Sequence, residues 1–205
     1  MKQEIDFDCE NGNTLWWDAM CQDAKNICLT FEPWDKQEGD IPPGYQETKC
    51  HLIFDINMGY NFLRKYRFVA GGHMTETPAK LTYASVVSRD SVNIALTIAA
   101  LNGLDILPWD IQNAYFTDRC WEKIWTRAGP EFRSETVMII IFRMALDGLK
   151  SSGTEFRAHL SDTLNDIGFL STKADPDVWY RPAVKPNAFE YYEYILCYVN
   201  NILCI

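Results

Sequence analysis

The chain has 205 residues, 47% of them apolar and 14% aromatic, with a formal net charge of −9. That apolar content can build a core and excludes a disordered chain, while 11 Gly and 9 Pro scattered without a period exclude a collagen-like one. No apolar run approaches the roughly 20 residues that cross a bilayer as a helix.

The charge is unevenly spread. Residues 1–60 carry 12 acidic and 4 basic side chains, whereas residues 61–205 carry 16 and 15. The acidity, which by itself argues against a nucleic-acid partner, therefore belongs to the first segment. The opening Met-Lys-Gln-Glu-Ile-Asp is too acidic for a signal peptide. Seven Cys without a CxxC pair and only three His argue for reduced thiols in an intracellular protein and against a zinc site.

In chain order, residues 14–26 read as a peripheral helix with Asn13 as N-cap and Leu15, Trp16, Ala19, Met20 and Ile27 near one face. Trp16, Trp17 and Trp34 read as packing residues. Pro42, Pro43 and Gly44 mark a linker over 38–44. Two extended runs, 50–58 and 63–70, flank Gly59-Tyr60-Asn61 and suit a hairpin whose second strand bears Arg64, Lys65 and Arg67. By default these three are charges on a solvated strand edge; as a cluster they could hold a phosphate chain. Gly71 and Gly72 stop that strand.

Ser88 caps a helix whose apolar positions Val92, Ala95, Leu96 and Ala99 recur at helical spacing until Gly103. Residues 104–111 read as a short buried strand ending in Asp110, which is either a cap for the turn at 112–116 or a functional acid. Residues 137–142 read as a buried strand. Ser152-Gly-Thr-Glu155 reads as a capping box opening a helix with Phe156, Leu160, Leu164 and Ile167 along one stripe, ended by Gly168. Residues 191–205 read as two strands around an Asn200-Asn201 tip, because Asn tolerates positive φ. Two-residue hairpins mixed with two long helices imply an α+β fold with a largely antiparallel sheet.

Several motifs in order resemble the reverse transcriptase of copia-type long-terminal-repeat retrotransposons. They are Tyr-Gln-Glu-Thr-Lys-Cys-His-Leu-Ile-Phe-Asp (45–55), Arg-Lys-Tyr-Arg-Phe-Val-Ala-Gly-Gly-His-Met-Thr (64–75) and Tyr-Ala-Ser-Val-Val-Ser-Arg-Asp-Ser-Val (83–92). Asp-Ile-Gln-Asn-Ala-Tyr (110–115), Leu-Asp-Gly-Leu-Lys-Ser-Ser-Gly (146–153), Ala-Asp-Pro-Asp-Val-Trp (174–179) and Tyr-Val-Asn-Asn-Ile-Leu (198–203) follow. The resemblance runs from about residue 15 to the end.

It implies the fingers and palm of a right-hand polymerase, with an N-terminal helix and linker at 1–44, fingers at about 45–87 and palm at about 88–205, truncated before the thumb. It also implies RNA-directed DNA synthesis on an RNA or DNA template-primer with deoxynucleotides, run by two Mg²⁺. In the family one carboxylate is the strand-end acid, here Asp110, the remaining metal ligand. The other two are an Asp-Asp pair, here Asn200 and Asn201. Lys65 and Arg67 match the cations that grip the triphosphate, Tyr115 the aromatic that excludes a 2′-hydroxyl, and Gly148 a segment that approaches nucleotide and template.

Departures accumulate. The amides carry no charge, Asp147 replaces the usual Tyr, Tyr66 replaces an Ala between the two cations and adds bulk on the binding path, and Asn57 replaces a Lys. The expectation is a polymerase copy that is catalytically dead or nearly so. Its alternatives are a non-catalytic nucleic-acid or nucleotide binding module and a nonfunctional transposon relic. Thumb, connection and RNase H segments would follow in an intact polyprotein, and without them the terminal strand would form an unpaired sheet edge. Location is expected inside the cell, with no membrane partner.

Overall fold

A computed structural model describes residues 2–34, 39–59, 62–79, 82–128 and 138–205. The chain is an α+β protein. It divides into two compact units, each visited twice: Met1–Thr82 with Tyr115–Ser152, and Tyr83–Ala114 with Gly153–Ile205.

The first unit opens with α1 (Lys2–Asn11) and α2 (Leu15–Cys28). Asn13 is not the N-cap of α2. Thr14 occupies the N-cap position without a side-chain cap bond, and the buried carboxylate of Asp8 on α1 accepts from the backbone N–H of Trp16 (3.1 Å) and Trp17 (2.9 Å). Asn13 Oδ1 accepts from Leu15 N at 3.3 Å. Those N–H groups have no intrahelical partner, so a carboxylate there satisfies two donors and meets the positive end of the helix.

Nor is α2 peripheral. Trp16, Met20 and Ile27 are buried, and Trp16 packs edge-on against Phe54 at 5.6 Å. Trp17, by contrast, is 43% exposed. Phe54 lies on the hairpin formed by β3 (Cys50–Asn57) and β4 (Leu63–Ala70), which pair antiparallel as the sequence indicates. Gly59 begins the turn; positions 60 and 61 of the expected tip lie outside the described residues.

A four-stranded sheet completes this unit, in the order β1 (Phe31–Pro33), β7 (Met138–Phe142), β6 (Ile124–Ala128), β2 (Gln46–Glu47). Only the β2 and β6 pair is parallel among its ladders. Ile140, Ile141 and Phe142 are buried as their unbroken apolar run suggests, and Val137 lies outside the described residues. Ile124 and Phe142 join Met20, Ile27, Tyr66 and Phe68 in one core.

The second unit is a five-stranded antiparallel sheet in the order β5 (Leu107–Asp110), β11 (Asn201–Cys204), β10 (Glu190–Tyr198), β9 (Val178–Val184), β8 (Leu170–Ser171). Helix α3 (Arg89–Asn102) buries Ala95 and Ala99 against Leu196. Helix α4 (Ser152–Asp166) buries Leu164 with Trp179 and Cys197. Leu196 and Cys197 are consecutive on β10, so their side chains leave opposite faces and the two helices cover opposite sides of the sheet.

Both caps of α3 hold: Ser88 Oγ accepts from Ser91 N, and Gly103 is left-handed at φ +58°. The capping box of α4 does not. Ser152 is already helical, and its Oγ donates to Leu146 O (2.7 Å) while accepting from Leu146 N (3.2 Å). Ile167 falls past the helix end and is exposed.

Strand β5 is shorter than the expected run and exposed along its length, with Leu107 at 54% and Trp109 at 63%. It forms the sheet edge. The terminal strand β11 is therefore interior, flanked by β10 and β5, contrary to expectation. The hairpin tip is also displaced by one residue. Tyr198 pairs with Asn201, so the turn residues are Val199 and Asn200, and Val199 takes the positive φ, +54°.

A β-branched residue at positive φ costs about 1–2 kcal/mol. Val199→Gly is expected to raise stability by up to ~1 kcal/mol after the entropy of glycine in the unfolded chain is subtracted, read as a higher urea midpoint at unchanged slope.

Candidate functional site

The residues singled out in the sequence divide between the units. Asp110, Asn200 and Asn201 belong to the second; Lys65, Arg67, Tyr115 and Gly148 belong to the first.

In the second unit, strand pairing places Asp110 directly opposite Asn201. The three side chains form a chain of hydrogen bonds: Asn201 Nδ2 donates to Asn200 Oδ1 (3.3 Å), and Asn200 Nδ2 donates to Asp110 Oδ1 (2.7 Å). The backbone joins in, because Ile111 N donates to Asn200 O at 2.8 Å. Asp110 thus contacts the hairpin rather than capping a turn.

A pair of divalent cations needs hard anionic oxygens converging on it. This constellation offers one carboxylate, with an amide N–H aimed at one of its oxygens and the Asn200 carbonyl oxygen already accepting. Among the described residues no group of three or more His, Cys, Asp or Glu converges as a metal site. The residues present do not fit a paired Mg²⁺ centre.

In the first unit, β4 alternates faces. Phe68 and Tyr66 turn into the core, the Tyr66 ring 5.5 Å from that of Phe54, so Tyr66 adds no bulk to an outer binding path. Arg64 shares that inner face, with its guanidinium 5.9 Å from the Trp16 ring and donating to Phe62 O. The basic cluster of the sequence is therefore two residues rather than three. Lys65 and Arg67 share the outer face, opposite Asp55 and Ile53 in register.

Asp55 is the cross-strand partner of Lys65, and Asp147 feels the positive charge of Arg67. Burial pushes the Asp147 carboxyl above the usual carboxylate range, with Arg67 opposing that shift. Burial, and then the Asp147 charge, also raise the Tyr115 phenol.

A carboxyl whose folded pKa is raised binds its proton more tightly in the folded state, so its contribution to stability is present below the ordinary value and is lost as pH rises through the raised one. Asp147→Asn is expected to remove that loss. Tm measured against pH should fall less for the variant than for the wild type across this interval.

Gly148 stands at φ +89°, and a Cβ there would lie 2.1 Å from Ala70 O. The close approach that its lack of a side chain permits is to its own chain.

The sequence assigned no role to Asp177 and Asp175, although both lie in a quoted motif. Asp177 is 3% exposed and accepts from Ser85 Oγ (2.5 Å) and Arg157 Nε (2.8 Å). Asp175 Oδ2 accepts from Ser88 N (2.9 Å) and Ser91 Oγ (2.6 Å). Next to this network Cys197 is buried, and burial, helped by Asp177, pushes its thiol up to about 12. Among the described residues no disulfide joins any of the seven cysteines.

No family model and no curated protein matches the chain. No helix among the described residues is long and apolar enough to cross a membrane.

Proposed function

We propose that the chain is the fingers and palm of a copia-type retrotransposon reverse transcriptase in which nucleotidyl transfer has been lost. The observation that carries this reading is the meeting of Asp110, at the end of β5, with Asn200 and Asn201 on the adjoining hairpin, joined by hydrogen bonds of 2.7 and 3.3 Å. These elements lie 90 residues apart in sequence. The family resemblance pairs the same two motifs.

In that family two Mg²⁺ between three carboxylates neutralise the triphosphate and activate the primer hydroxyl. One carboxylate and two amides do not meet that demand, which supports a polymerase fold without turnover. A template-binding module is the weaker reading, because the outer face of β4 carries two cations only, Lys65 and Arg67, with an acid, Asp55, opposite the first in register.

The test is primer extension on oligo(dT)-primed poly(rA) with Mg²⁺ or Mn²⁺. Wild type is expected at the background set by Asp110→Ala, on the order of 10³-fold or more below an intact enzyme. The Asn200→Asp, Asn201→Asp double variant is expected to rise above that background. Wild-type product that Asp110→Ala removes would refute the loss of turnover, and no product from the double variant would count against the polymerase reading.

A further inference from the structure

We infer that the Asn200 amide clamps Asp110 to the hairpin tip and so holds the edge strand β5 to β11 without metal. The inference rests on hydrogen-bond geometry alone and stands whether or not the polymerase reading does.

A carboxylate can only accept hydrogen bonds, so two facing carboxylates repel unless a cation or a proton lies between them. An amide carries its own donors. Asn200 presents Nδ2 to Asp110 Oδ1 at 2.7 Å, within the short range of charge-assisted bonds. Its remaining side-chain oxygen is taken by Asn201 Nδ2 at 3.3 Å, which favours the orientation that keeps Nδ2 on Asp110. Its backbone carbonyl accepts from Ile111 N at 2.8 Å. One residue thus ties both the end of β5 and the residue after it.

The need for such a tie is local. Strand β5 is four residues long, contains Pro108, is exposed throughout, and among the described residues is bonded to a single neighbour, β11. The turn beside it carries Val199 at positive φ. A short edge strand next to a strained turn is where a sheet frays first. An amide at position 200 therefore holds the end of β5 with its own donor and needs no cation.

The test is a swap of the partners, read by Tm in EDTA and in millimolar Mn²⁺. Asn200→Asp is expected to lower Tm in EDTA by roughly 3 °C and to regain it with Mn²⁺, since the pair of carboxylates then binds the ion. The double variant Asp110→Asn, Asn200→Asp reverses donor and acceptor and is expected to recover the wild-type Tm in EDTA, with no response to Mn²⁺. Wild type is expected to show no Mn²⁺ response.

A swapped variant no more stable than Asn200→Asp would overturn the clamp. So would a wild-type Tm that rises with Mn²⁺ in a manner Asp110→Asn abolishes. Should Asn200→Asp alone fail to fold, the swapped variant and an EPR titration of wild type with Mn²⁺ still decide, the expected titration showing no site that depends on Asp110.

Discussion

Gly148→Ala is expected to unfold the first unit. Gly148 combines a φ of +89° with a virtual Cβ 2.1 Å from Ala70 O and 2.7 Å from Val69 Cγ1. The near neighbour at 2.1 Å is backbone, and it is held on both sides. Ala70 N donates to Asp147 O at 2.8 Å, and the next residue, Gly71, donates to Lys49 O and accepts from the buried Thr48 hydroxyl. The approach is reciprocal, because a Cβ on Gly72 would lie 2.2 Å from Gly148 O. Overpacking alone costs about 1–3 kcal/mol, and positive φ for alanine adds about 1–2 kcal/mol. A total of about 4 kcal/mol is comparable with the whole stability of a marginal domain. Urea unfolding should show a free energy, midpoint times slope, lowered by that amount, or insoluble expression; a free energy within ~1 kcal/mol of wild type would show that the end of β4 can shift. Gly148 is needed here whatever the fate of any nucleotide.

That glycine illustrates how much could be read from the sequence. Leu-Asp-Gly-Leu announces a turn, but the reason for glycine lies at Ala70, 78 positions earlier, and local pattern does not reach that far. Features that are local were legible: the Ser88 and Gly103 ends of α3, the apolar spacing of α4, and the β3–β4 pairing. Strands β1, β2 and β8 are two or three residues long and owe their extended form to distant partners, so no periodicity could reveal them. Helix α1 is polar on most sides, and its Asp8 serves the next helix. The alternation of β4 was present in the sequence, and it already separates Arg64 from Lys65 and Arg67.

The hairpin tip shows a different failure. Asn200-Asn201 is the better turn dipeptide, yet register is set by the buried Leu196 opposite Leu203 and by Asp110 opposite Asn201. Burial of a face outweighs the cost of one residue at positive φ, so the strain falls on Val199. The proximity of Asp110 to the hairpin was legible through the family resemblance; the direction of the Asn200 hydrogen bond was not, because it depends on register.

Asp177→Ala is expected to cost about 3 kcal/mol and to loosen the second unit as a whole. Asp177 is the buried end of an ion pair: it is 3% exposed, while the Arg157 side chain is 34% exposed. Removing one partner of a buried pair costs about 3–5 kcal/mol because the other is left uncompensated. Arg157 can turn partly to water, which favours the lower end of that range, and the loss of the acceptor for Ser85 Oγ at 2.5 Å adds to it. The backbone of Asp177 is not spared either: its carbonyl accepts from Cys197 N, and its N–H donates to Asp175 Oδ1. Asp175 in turn holds Ser88 and Ser91, so the start of α3, the middle of α4 and strands β9 and β10 all meet at this bracket. An exposed pair makes the contrast. Arg127 and Glu47, both half-exposed, are bonded at 2.9 Å, and Glu47→Ala is expected to change stability by less than ~1 kcal/mol. Equal effects of the two substitutions on the urea midpoint would show that the Asp177 bracket is as replaceable as a surface contact. The larger loss at Asp177, accompanied by faster alkylation of Cys197, would show that the Asp-Pro-Asp motif serves the assembly of the sheet rather than chemistry.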